Sequence, residues 1–190
     1  MKWMRKVIEY GIKYKDVNKI FVQYHKPSYS RFKHEALAET NDPLKILREY
    51  KSKHGPSFDV FVFNSHNHTT ELYNTEQEKP EEGVIVLVAG GGGAPQKICE
   101  ECEPAKETPP ELFWQKIGER HKRVNFFEVT VMKDTVMKDN VKMVENCLIK
   151  DSDPPEFRPA VEISSNGEVT LPIDREDLEE CNLAISPEKP

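Results

Sequence analysis

FVFNSHNHTT, residues 61–70, decides how this chain is read. An apolar run, Phe61-Val62-Phe63, stops at Asn64-Ser65, and His66 and His68 follow with one residue between them. Phe58–Asn64 has the near-continuous β-branched and aromatic composition of a strand buried on both faces. In α/β sheets, ligands are held at the carboxyl ends of such strands. A His-x-His pair at that position therefore asks for a function.

The elements upstream bring a third histidine towards the pair. Asn41-Asp42-Pro43 is a helix start, a capping side chain followed by proline in the first turn. The helix LKILREYKSK that follows stops at Gly55-Pro56. Before it, Lys19–Tyr24 (KIFVQY) reads as a short strand with His25 at its exit. Two strands joined by a crossover helix run parallel, so their carboxyl ends share one sheet edge. That topology places His25 near His66 and His68. Met1–Tyr14 reads as an amphipathic helix, with Trp3, Met4, Val7, Ile8, Tyr10 and Ile12 at helical spacing.

Downstream, Val84–Val88 is a third apolar strand and runs into AGGGGAP, residues 89–95. A short helix is expected over Pro110–Arg120. Val124–Met132 alternates as a strand and pairs with Met143–Ile149 as an antiparallel neighbour. Residues 151–190 are rich in proline and acid and read as an extended tail, with one hairpin centred on Asn166-Gly167.

Composition narrows the function. The chain has 190 residues, 32% charged and 37% hydrophobic, with a net charge of −6. An acidic balance excludes a general nucleic-acid binder, which needs an excess of lysine and arginine. No run approaches the ~18 apolar residues of a membrane span. Glu9, Lys13 and Lys15 interrupt any signal-peptide core, so the expected location is cytoplasmic by default, or secreted if an upstream segment exists. The four cysteines are too few for a disulfide scaffold. Cys99 and Cys102 have C-x-x-C spacing without the second pair of a zinc ribbon. Incidental thiols, a redox pair and a metal clip all remain open for them.

Neutral imidazole is a good ligand for zinc, iron, manganese or copper. An H-x-H pair leaving a strand can send its rings to different sides, which suits two metals ~3.5–4 Å apart. Singly, each motif is modest. A lone His25 reads as an ordinary satisfied histidine, and the glycines at 90–93 lack the GK[ST] of a phosphate-binding loop.

The order of the motifs carries more. V-x-x-H at 22–25, H-x-H at 66–68 and a strand ending in GGGGAP at 90–95 together resemble the C-terminal half of calcineurin-like metallophosphoesterases, most closely the purple acid phosphatase branch. The helix bearing Trp3 and the stretch Asp16–Val22 are also similar to the family segment before V-x-x-H. The resemblance covers roughly residues 1–95. It implies an α/β (α+β) fold, the C-terminal part of a four-layer α/β/β/α sandwich over residues 1–150, with 151–190 as a tail. It implies hydrolysis of a phosphoester with two metal ions (Fe, Zn or Mn), by in-line attack of an activated water on phosphorus. Carried over by motif, His25 and His66 resemble ligands of the second metal and His68 a ligand of the first. His34, nine positions after His25, is similar to the histidine that touches the phosphate or leaving group.

Two departures from the family shape the expectation. Ser65 stands where the family has glycine, which would strain Ser65 if that position needs a positive φ. The D-x-H, G-D-x-x-[YG] and G-N-H-[DE] motifs are not in the sequence. The chain then reads as a C-terminal half with weak or absent metal binding and poor activity alone. One face of its main sheet would be uncovered, favouring self-association or a missing N-terminal half in trans. The partner expected of the complete enzyme is a phosphoester, with neither nucleic acid nor membrane. The alternative is a non-catalytic pseudo-phosphatase or partner-binding module.

Overall fold

The computed structural model describes residues 1–28, 43–67, 70–76, 79–90, 113–115, 125–132, 140–148, 156–164 and 169–170. The chain is a mixed α/β protein whose described elements fall into two compact units. The first holds α1 (Lys2–Lys15), β1 (Lys19–Gln23), α2 (Pro43–His54), β2 (Asp59–Asn64), β3 (Thr70–Asn74), β4 (Ile85–Ala89) and β5 (Phe113–Gln115). The second holds β6 (Asn125–Met132), β7 (Asn140–Leu148), β8 (Phe157–Ser164) and β9 (Val169–Thr170).

In the first unit the strand order is β1-β2-β4-β3-β5. β1, β2 and β4 are mutually parallel, with Val22 beside Val62 and Val62 beside Val86. Successive strand residues face opposite sides, and the two sides are used differently. Val60, Val62, Val84, Val86 and Val88 pack with Met4 and Ile8 of α1 and with Leu44, Ile46, Leu47 and Tyr50 of α2. The helices are tied to each other by the Tyr50 hydroxyl, which donates to Glu9 Oε1 at 2.8 Å, and by Arg5 with Glu49 at 2.6 Å. α1 ends where Asp16 turns left-handed, φ 51°, and its N–H returns to the Gly11 carbonyl.

The opposite side is not bare. Phe61, Leu72, Ile85 and Leu87 are all at most 3% exposed. Among the described residues, the large exposed hydrophobic on that side is Phe21 of β1, 42% exposed and stacked on Phe61 with ring centroids 5.1 Å apart. Against the expectation of a bare sheet face, these central residues are removed from water, and the exposure on that side lies at Phe21 and, in part, Phe63.

At the amino ends of the parallel strands lies a charge cluster. Lys19 Nζ meets Asp59 Oδ2 at 3.0 Å, and Lys51 Nζ lies 3.9 Å from Asp59 Oδ1. Lys51 is only 2% exposed, and burial holds its ammonium below the ordinary lysine range, the carboxylates of Asp59, Glu81 and Glu82 opposing that shift.

Two segments differ from the sequence reading. β3 lies between β4 and β5 although no strand was expected at 70–74. Within the segment expected to be helical, Phe113–Gln115 is strand, antiparallel to β3 with Trp114 beside Tyr73. The aromatic pair Phe113-Trp114 fits a pleated surface as well as a helix face, and pairing with β3 decides.

The second unit is an antiparallel sheet in the order β6-β7-β8-β9. Val141 and Met143 of β7 are buried, whereas Val129 and Val131 of β6 are exposed. Phe157–Ser164, expected as part of a tail, is a full strand along β7. Its proline is tolerated because Asn146 pairs with Pro159 beside a register shift, where a missing N–H interrupts least. β8 and β9 are antiparallel, Ile163 beside Val169, so strands flank Asn166-Gly167 as the hairpin reading expects.

Candidate metal centre

Strand register brings the two histidines together. Gln23 is level with Phe63, so two residues further on His25 is level with Ser65. The ladder continues past the strand ends: Tyr24 N–H donates to the Phe63 carbonyl at 3.1 Å and Ser65 N–H to the His25 carbonyl at 3.0 Å. Asn64 adds a side-chain rung, its Nδ2 donating to the Tyr24 carbonyl at 3.0 Å. Beyond His25 the turn is closed by Tyr24 and Ser28, whose hydroxyls lie 2.8 Å apart.

After Ser65 the chain reverses tightly. Asn67 N–H donates to the Ser65 carbonyl at 2.6 Å, and His66 between them has φ 60°. A three-residue turn with positive φ at its centre is a γ-turn, a strained conformation. Backbone strain of this kind collects at functional sites. The positive φ thus falls on His66 and not on Ser65, which corrects the expectation drawn from the family's glycine.

The turn aims one ring at the other. His66 Nδ1 lies 3.0 Å from His25 Nε2, with ring centroids 4.9 Å apart and planes 81° to each other. The remaining nitrogen of His25, Nδ1, is 2.9 Å from Ser65 Oγ. His25 is exposed and His66 half-buried, so their contact lies at the surface. Two imidazole ligands on one zinc, at ~2.0–2.1 Å each and tetrahedral, stand about 3.3–3.4 Å apart. The observed pair, joined by a hydrogen bond, is within a few tenths of an ångström of that spacing, and imidazole nitrogens are donors that suit zinc, iron or manganese.

Buried polar atoms reinforce the location. Asn64 Oδ1, Asn67 Nδ2 and Asn67 Oδ1 are the buried side-chain polar atoms without a hydrogen-bond partner among the described residues. All three belong to residues flanking His66, and Asn67 is 1% exposed. Buried polar atoms are almost always paired, so a cluster of orphans marks a place built for something besides packing.

Of the residues singled out from sequence, the structure brings His25 and His66 together. His34 and His68, the glycines at 91–93, and Cys99 and Cys102 lie outside the described residues. Among the described residues, no group of three or more histidine, cysteine, aspartate or glutamate side chains assembles around the pair or elsewhere. Sequence reasoning passed over Ser65, Asn64 and Asn67 as site residues. Asn64 did leave a signal: it occupies a core-facing position in the alternation of Val60 and Val62, where a buried amide is out of place. No protein-family model matches the chain, and no curated protein or solved structure matches it.

Proposed function

We propose that His25 and His66 hold a metal ion in the site of a metal-dependent phosphoester hydrolase of the calcineurin-like, acid-phosphatase type. Its fold would be the C-terminal part of a four-layer α/β/β/α sandwich. The observation that carries the reading is the convergence of His25 Nε2 and His66 Nδ1 at 3.0 Å, at the carboxyl ends of two parallel strands. The ordered motifs V-x-x-H, H-x-H and GGGGAP supply the family.

His25 and His66 would contribute two imidazole nitrogens, and His68 would serve a second ion. When bound, a metal pair supplies Lewis acidity towards a phosphoryl oxygen and lowers the pKa of water. The chain's own residues do the rest. Ser65 holds His25 in place, and the γ-turn fixes His66. His34 would donate a hydrogen bond to the phosphoryl group or a proton to the leaving group. Two imidazoles are fewer than the three protein ligands of an ordinary catalytic zinc. On this reading the two imidazoles would bind metal weakly and support little turnover by themselves.

The test combines a metal titration with an aryl phosphate assay in Zn²⁺, Mn²⁺ or Fe²⁺. Weak binding that disappears in both His25→Ala and His66→Ala is expected, with little turnover. Robust turnover lost in His66→Ala would show that the pair is sufficient. Metal binding indifferent to both substitutions would remove the reading.

A further inference from the structure

Ser65 grips His25 at two points. Its backbone N–H donates to the His25 carbonyl at 3.0 Å, and its Oγ lies 2.9 Å from His25 Nδ1. The first contact fixes where the hydroxyl stands relative to the ring. The second acts on the ring itself.

A neutral imidazole carries one proton on one of two nitrogens, and the hydrogen bond made by one nitrogen sets the state of the other. If Nδ1 carries the proton, it donates to Ser65 Oγ, and Nε2 accepts from His66 Nδ1–H, a proton that His66 gives up when a metal takes the place of the hydrogen bond. If Nε2 carries it, the proton sits in the gap between the rings and His25 has nothing to offer there. A serine hydroxyl can accept or donate, so the 2.9 Å contact accommodates either state, and only the accepting hydroxyl leaves Nε2 unprotonated as a ligand. From the geometry we infer that Ser65 is a positioning residue, accepting the Nδ1 proton of His25 and so turning Nε2 into the nitrogen available for a metal. The inference rests on the metal-site reading above. It assigns a role to the position where the resembling family carries glycine, a residue with no side chain to make this contact.

Acceptors on the outer nitrogen of ligating histidines tune metal affinity by about 10–100-fold. In the full chain, Ser65→Ala is expected to weaken Zn²⁺ binding about 10-fold in competition with a chelating dye. Ser65→Thr, which keeps the oxygen, is expected to restore it. The second readout needs no metal. Long-range ¹H–¹⁵N correlation spectra of the neutral, metal-free chain should show His25 protonated on Nδ1 in the wild type and in Ser65→Thr. In Ser65→Ala the proton should shift towards Nε2.

Wild-type His25 found protonated on Nε2 overturns the inference whether or not the variants fold. An unchanged tautomer and affinity in folded Ser65→Ala overturns it as well. Labelling of Ser65 by a fluorophosphonate would mark it as a nucleophile instead and also overturn the proposal. A tautomer that switches with Ser65 while no variant binds metal would uphold the role of Ser65 and sink the metal-site reading, so the two failures are distinguishable.

Discussion

At the scale of single residues, a positive φ and unpaired buried polar atoms coincide, among the described residues, in Asn64–Asn67. His66 is held at φ 60°, where a side chain costs roughly 1–2 kcal/mol and glycine costs nothing. His66→Gly and His66→Ala both remove the ring, so their difference isolates the backbone. The glycine variant should be the more stable by about 1 kcal/mol in urea denaturation; the reverse order would mean that the turn is not left-handed. The two asparagines should separate in the same assay. Asn64 Nδ2 carries a hydrogen bond between strand exits, so Asn64→Ala should cost about 1–2 kcal/mol. Asn67 has both amide atoms buried and unpaired, so Asn67→Ala should cost clearly less. His25 and His66 were legible in sequence because each follows an apolar run. Ser65 and Asn64 were not, since their meaning comes from a neighbour forty residues away across the sheet.

Among the elements, the parallel strands and α2 declared themselves through apolar runs and periodicity; α1 was also legible by its spacing, but only Met4 and Ile8 of its apolar residues are buried, while Trp3, Val7 and Tyr10 are exposed. β3 did not. Its sequence TELYN is mostly polar, yet Glu71 and Tyr73 are both buried, and the Tyr73 hydroxyl donates to Glu71 Oε2. A buried hydrogen-bonded pair carries no hydrophobic signal. The passage from β3 to β4 is fixed by similar polar contacts. Thr75 N–H donates to the Val84 carbonyl at 3.2 Å, and Val84 N–H donates back to Thr75 Oγ1 at 2.8 Å. Asn74 Oδ1 accepts from Glu76 N–H at 3.0 Å and lies where a β-carbon on Gly83 would stand. Gly83→Ala therefore displaces the Asn74 side chain and should lower stability by about 1–3 kcal/mol in thermal denaturation. An unaltered melting temperature would mean that Asn74 moves aside freely.

For the molecule as a whole, the division into two sheets was hidden. Proline and acidic residues after Asp151 argued for a tail, and Pro159 is admitted to β8 only because the register shifts beside it. The first sheet also has chemically distinct ends, with histidines at the carboxyl edge and the Lys19–Asp59–Lys51 cluster at the other. Lys51 has a consequence for pH. Burial lowers its folded pKa beneath the ordinary 10.5, so between those two values the unfolded chain binds more protons. Stability should then rise with pH through that window, and below it the buried charge acts as a constant cost. Lys51→Met keeps the aliphatic volume and leaves Asp59 with Lys19. In denaturant titrations across pH, the alkaline rise should flatten in this variant; an identical slope would place its origin elsewhere. The strand register that sets His25 level with Ser65 has a further consequence. The two imidazoles meet through hydrogen bonds between β1 and β2. A slip of that pairing by one residue would turn every side chain of β1 to the other face of the sheet and separate the rings, with both histidines still in the chain.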